Sequence, residues 1–136
     1  MAASNRKRAS NPPGVAPPLG PHYSNAVIAA PGPLLFVSGM VAWDEDRNVV
    51  GKGNIKAQTR QTLENLKAIL AGHGATLDDV VKVTVFVTDL AKYAETGEVR
   101  REYFPNNGPA STTVQVAGLV QPDLEIEIDA VAIVEG

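Results

Sequence analysis

Three carboxylates recur at every second position near the C-terminus, Glu125, Glu127 and Asp129, within the string Leu124-Glu125-Ile126-Glu127-Ile128-Asp129-Ala130. In a strand they share one face, with neighbours about 6.5–7 Å apart. Like charges at that spacing raise one another's pKa, more so when partly buried, and a carboxylate tuned in this way serves as a general base or acid near neutral pH. The same pattern also describes a solvated strand face whose acids promote solubility, so both readings stay open. Small hydroxyl residues mark two strand ends: Ser38-Gly39 closes one apolar run and Ser111-Thr112-Thr113 opens another. Hydroxyls and free N–H groups there can hydrogen-bond a small anionic ligand, or simply form ordinary turns.

Other chemistries find less support. His22 and His73 are the only histidines and lie far apart, which gives little basis for a Ser-His-Asp arrangement or a His-based metal site. Gly51-Lys52-Gly53 lacks the four-residue spacer and the Ser/Thr of a phosphate-binding loop. There is no Cys, which excludes disulfides and Cys-based zinc sites. No metal and no cofactor is expected.

The elements that must position these residues are legible from pattern. Ala26–Ala30 and Leu34–Ser38 flank Pro31-Gly32-Pro33 as two strands joined by a tight turn, and a short strand is expected at Val49-Val50. Helical spacing runs from Ile55 to about Ala71, with Ile55, Leu63, Leu66, Ile69 and Leu70 on one face, Asn54 as N-cap, and Gly72 and Gly74 at the end. Val80 to Thr88 alternates, placing Val81, Val83, Val85 and Val87 on one face and Lys82, Thr84, Phe86 and Thr88 on the other. A second helix is expected from about Leu90 to Phe104, interrupted by Gly97 and stopped by Pro105. Strands at Thr112–Ala117 and Leu124–Val134 complete the chain, the latter with Val131 and Ile133 on the carboxylate face.

The 136 residues fit one α+β domain, with one sheet and two helices on one of its faces. The opposite face is then bare, yet it carries Phe86, Val131 and Ile133, so a homo-oligomer of closed symmetry is expected to cover it, with small-molecule pockets between subunits.

Charge and composition bound the partners. Residues 1–22 hold Arg6, Lys7 and Arg8 and no acid, leaving −6 on the remainder of a chain whose net charge is −3. An acidic body argues against nucleic acid. No apolar run approaches the roughly 18 residues needed to cross a bilayer, so no membrane partner is expected and a soluble, cytoplasmic protein is. Ser10–Gly20 contains four prolines. Residues 1–20 are therefore expected to be a flexible Pro-rich leader, and 21–136 the folded domain.

Several strings go further. Gly20-Pro21-His22-Tyr23-Ser24-Asn25-Ala26-Val27, Leu35-Phe36-Val37-Ser38-Gly39, Gln58-Thr59 with Leu63-Glu64-Asn65-Leu66, Asp79 to Phe86, Tyr103-Phe104, Pro109-Ala110 and Ile126 to Ala132 occur in unbroken order over residues 19 to 133 and together resemble the RidA (YjgF) family. The resemblance implies a chorismate-mutase-like α+β fold assembled as a barrel-like homotrimer, with ligand sites in clefts between subunits. It also implies a cofactor-independent hydrolase that deaminates small reactive enamines and imines, releasing ammonia. Other members are described as ribonucleases, translation inhibitors or chaperones. It implies Tyr23 and Glu127 as catalytic residues, and Ser38, Gly39, Gly97, Pro109, Ala110, Ser111 and Thr113 as substrate-binding positions. The family's Pro-Ala-Arg-Ser string reads Pro109-Ala110-Ser111-Thr112 here, so the carboxylate-binding Arg is replaced by Ser111. Gly97 and Thr113 stand where the family often has Asn and Cys. The expected substrate is altered accordingly, with a noncatalytic small-molecule-binding trimer or interaction protein of the same fold as the alternative. Arg100 and Arg101, on the second helix, are the cations available to replace the missing one.

Overall fold

The computed structural model describes residues 6–135. Strand β1 (Lys7–Ser10) pairs antiparallel with β2 (Ala26–Ala29) in a two-stranded sheet. β3 (Leu34–Val41), helix α1 (Ile55–Ala71), β4 (Val80–Val87), helix α2 (Tyr93–Tyr103), β5 (Ala110–Gln115) and β6 (Ile126–Ile133) follow. The last four strands form one sheet in the order β3-β6-β4-β5. β4 and β5 run parallel, which requires a crossover, and α2 supplies it; the remaining pairs are antiparallel. The expected α+β class, mixed sheet and two helices are all present.

Residues 7–10 correct the expectation of a flexible leader. The prolines begin only at Pro12, so Lys7 to Ser10 keep the N–H groups a strand needs, and Pro12, Pro13, Pro17 and Pro18 fall in the connection to β2. The basic cluster also has acidic and carbonyl partners: Arg6 pairs with Asp79 at 2.8 Å, and Lys7 Nζ donates to the Val80 carbonyl at 2.7 Å. Residues 1–5 of that expected leader lie outside the described residues. The strand expected at Val49-Val50 reduces to a single bridge between Trp43 and Val49, because β3 continues to Val41.

α1 starts where Asn54 accepts a hydrogen bond from the Ala57 N–H at 3.0 Å, as expected for an N-cap. Leu63, Leu66 and Leu70 bury its inner face against the sheet, but Ile69 is exposed. Gly97 does not interrupt α2. The break falls earlier, at a 3-10 turn over Leu90–Lys92 capped by Asp89, after which α2 runs unbroken from Tyr93. In β4 a bulge between Val80 and Lys82 makes Val81 the extra residue, so Val80, Val83, Val85 and Val87 form the buried row. Ile126, Ile128, Ala130 and Ala132 of β6 meet them under the helices.

The other face of the sheet is open. Leu34 and Phe36 pair with Ile133 and Val131, and Val114 pairs with Phe86, placing these side chains on the face away from the helices. Phe36 is 72% exposed, and Leu34 and Val114 are also exposed. Ile133 shares this face, as expected, but is buried there, where a Cβ at Gly32 would lie 3.1 Å from its Cγ2. Among the described residues no helix is long and apolar enough to cross a membrane.

Candidate functional site

The positioning of Tyr23 begins at two segments far apart in sequence. Ser24 bridges Ala110, its N–H donates to the Pro109 carbonyl at 3.0 Å, and its hydroxyl donates to the Gly108 carbonyl at 2.6 Å. The Gly108 N–H returns a bond to the Pro21 carbonyl at 3.0 Å. Gly108 must lack a side chain here, since a Cβ would collide with the His22 carbonyl group and come within 2.6 Å of the Tyr23 N. Pro109 and Ala110, expected to bind substrate, thus sit where they clamp the Tyr23 segment to the start of β5. Buried His22 packs edge-on against Tyr23, with ring centroids 5.1 Å apart.

This clamp closes one side of a cleft of about 300 Å³ lined by Tyr23, Leu90, Tyr93, Ser111 and Thr113. Ser111 and Thr113 alternate on β5 and pair with Val83 and Val85, which sets them on the helix-facing side at the edge of the sheet. Behind them lies Arg100, 1% exposed. Its Nη2 donates to Ser111 Oγ at 2.8 Å, its guanidinium also hydrogen-bonds the Tyr93 side chain, and its Nη1 has no hydrogen-bond partner. Burial pulls the guanidinium's pKa below its ordinary value, opposed by Tyr93 and then Tyr23. Arg101 is turned elsewhere: it is exposed and its Nη2 donates to the Leu19 carbonyl at 3.2 Å, while the Leu19 N–H donates to the Tyr23 hydroxyl at 3.0 Å.

Glu127 is on the opposite face of the sheet. It pairs with Phe86, in the row that continues to Val114 on β5. Its flanking acids have partners, Glu125 in an ion pair with Lys92 and Asp129 accepting the Thr84 N–H at 3.1 Å. Burial first, and the Asp129 charge second, raise the Glu127 pKa above the ordinary carboxylate value. The carboxylate lies against Gly39, where β3 bulges between Val37 and Met40: a Cβ on Gly39 would stand 2.6 Å from Glu127 Cδ. Ser38 and Gly39 are both exposed beside it. The start of β6 is held by Gln58, which donates to the Asp123 carbonyl at 2.8 Å and accepts the Glu125 N–H at 2.9 Å.

The chain therefore carries two separate groups, Tyr23, Ser111 and Thr113 at the β5 edge and Ser38, Gly39 and Glu127 on the bare face. Gly97 joins neither. It is buried in α2 facing His22, whose Nε2 would be 3.8 Å from an added Cβ. Leu90 and Tyr93 line the cleft without having been anticipated. The signal for Tyr93 was its spacing: Tyr93, Thr96 and Arg100 follow the i, i+3, i+7 rule for one helix face. A larger cavity of about 820 Å³ between β1 and the helices mixes Lys7, Arg8 and Lys67 with Asp78 and Glu102, and Glu102 is already paired with Arg60.

Comparison with known proteins agrees with this architecture. The RutC family protein PH0854 of Pyrococcus horikoshii is 46% identical over 115 residues, covering 85% of this chain and 88% of that protein. The crystal structure of YyfB of Yersinia pestis, a protein of the conserved Rid family, superposes with a TM-score of 0.87 at 33% identity, covering 95% of this chain and 99% of that one. A Mycobacterium tuberculosis member of the YjgF/YER057c/UK114 family gives 0.66 at 38% identity, covering 82% and 86%. The family described as Endoribonuclease L-PSP matches residues 14–134, and with these relatives it shows that the chain belongs to the YjgF/Rid family.

Proposed function

We propose that the protein is a cofactor-independent hydrolase of small reactive enamines and imines, acting as a cytoplasmic homotrimer whose subunit seams join the two groups of residues. The observation that carries this reading is the state of Glu127, a half-buried carboxylate with no counter-ion among the described residues, whose pKa is raised and whose approach is opened by Gly39. The bare sheet face supports the seam: covering Phe36, Leu34 and Val114 with the β5 edge of a neighbour removes apolar surface from water and brings a neighbour's cleft toward Glu127.

In that setting the enamine tautomerises to its imine and water adds to the imine carbon. Glu127 takes a proton from the attacking water and returns one to the nitrogen, so that the carbinolamine expels ammonia and leaves a carbonyl product. The cleft hydroxyls of Tyr23, Tyr93 and Ser111 hold the substrate in place during this exchange. A ribonuclease reading fits less well, because phosphate contacts need several surface cations and the cation behind this cleft is buried.

Ammonia release from an imine generated enzymatically in the same cuvette tests the proposal. The protein should accelerate release over buffer and Glu127→Ala should abolish the gain. Equal rates for wild type, Glu127→Ala and buffer would leave the noncatalytic binder as the reading.

A further inference from the structure

The outer edge of β1 is unsatisfied. The Ala30 N–H donates to the Arg6 carbonyl at 2.6 Å, and the register Lys7↔Ala29, Arg8↔Ile28 continues from that bond. Alternate residues of an antiparallel ladder turn their N–H and C=O groups to the same side, so Arg6, Arg8 and Ser10 face β2 while Lys7 and Ala9 turn both groups outward. No partner meets those outward groups among the described residues. They open on the cavity of about 820 Å³, which Lys7, Arg8 and Ala9 line in succession. A cavity on one face of a strand collects every second residue, so three in a row place this one along the edge. Ala71, Leu77 and Tyr103 add apolar surface to its lining. The charges within it do not balance. Glu102 pairs with Arg60 and Asp78 acts on the Lys7 ammonium, whereas Arg8 and Lys67 are exposed and form no ion pair among the described residues. A second copy of the chain is a poor occupant, because pairing two β1 edges about a twofold axis sets Arg8 opposite Arg8, and like charges directly opposite destabilise a strand pair.

We propose that the β1 edge is a docking site for an acidic, extended peptide segment of a partner protein, which adds antiparallel as a third strand to the β1–β2 sheet. Directly opposed residues share a face of the sheet. The two residues opposite Lys7 and Ala9 therefore take up the free backbone groups and turn their side chains to the inward face, where Lys7 Nζ reaches the Val80 carbonyl, so they are apolar. The residue between them stands opposite exposed Arg8 and is acidic. Main-chain bonds supply the affinity, and Arg8 and Lys67 select the charge. The groove shares no lining residue with the Tyr23 cleft, so the proposal stands whether or not the chain is a hydrolase.

The test adds acetyl-Glu-Leu-Glu-Leu-Glu-amide to the full chain and follows NMR shifts and amide hydrogen exchange. At saturation the Lys7 and Ala9 N–H groups should exchange about tenfold or more slowly while the Arg8 N–H, already turned to β2, stays unchanged, an alternation that binding elsewhere would not produce. The peptide with Lys in place of Glu should bind about threefold or more weakly, the range that exposed ion pairs allow, and methylation of both Leu nitrogens should abolish binding. Arg8→Glu combined with Lys67→Glu, both at exposed positions, should reverse the order of the acidic and basic peptides. No added protection at Lys7 and Ala9, equal affinity for the two peptides, or an unchanged order in the variant would overturn the proposal. Protection of both amides before any peptide is added would assign the edge to the chain itself, or to a second copy where it grows with protein concentration, and would equally overturn it.

Discussion

Arg100 Nη2 reaches Ser111 Oγ at 2.8 Å, linking the buried face of α2 to the start of the edge strand β5. Removing the hydroxyl with Ser111→Ala leaves a second guanidinium nitrogen buried without a partner. We expect a stability loss of about 1–3 kcal/mol, measured as a lower urea midpoint with unchanged slope. An unchanged midpoint would mean that the contact does not hold α2 to β5.

The proposed hydrolysis, with Glu127 as its base, carries a pH dependence. A base must be ionised to accept a proton, so activity should fall as pH drops through its pKa, and burial and Asp129 set that inflection above the ordinary carboxylate value of 4.5. Asp129→Asn removes the like charge and should move the acid limb of kcat to lower pH. An inflection that does not move with Asp129→Asn would assign the limb to another group.

His22 predicts a second, independent pH effect, on stability. Burial first, then Arg100 and Arg101, lower its pKa from 6.5 to about 4. Between these values the unfolded chain binds the proton and the folded one does not, so stability is full above pH 6.5 and declines as pH falls toward 4. His22→Gln should flatten that part of the urea midpoint against pH; an equally steep profile in the variant would contradict the assignment.

Two glycines should respond in opposite directions. A Cβ at Gly97 meets only an ordinary contact with His22, so Gly97→Ala should stabilise α2 by up to about 1 kcal/mol. At Gly108 the added carbon collides with the His22 carbonyl group, and Gly108→Ala should cost about 1–3 kcal/mol and displace Tyr23. Thermal unfolding of both variants, with Tyr23 environment followed by NMR, gives the comparison.

Much of this arrangement was legible in the residues because period and capping are local properties. The α1 start at Asn54 and the alternation of β6 that sets Glu127 opposite the buried row both follow from neighbours in sequence. What stayed hidden depends on partners distant in the chain. Lys7–Ser10 becomes a strand because Ala26–Ala29 pairs with it and the Val80 carbonyl receives Lys7, with Arg6 just before it held on Asp79, and nothing within a tetrapeptide announces that. The bulge at Val81 is equally invisible to a period count, since it appears only against β6. The site was legible in part: Tyr23, Ser111 and Thr113 do line one cleft, but the charge behind them could be assigned to Arg100 rather than Arg101 only once α2 was seen against β5.

The account depends on the two residue groups meeting across a seam between subunits, and hybrid assemblies test this most directly. Glu127→Ala and a cleft-blocking Thr113→Trp, each inactive alone, are unfolded together and refolded as a mixture, with hybrid formation checked by mass spectrometry. Random mixing of a closed trimer should return activity at about a quarter of the sites, those pairing an intact Glu127 with an intact cleft from the neighbour. Verified hybrids that remain as inactive as either parent would show that Glu127 and the Tyr23 cleft do not form one site.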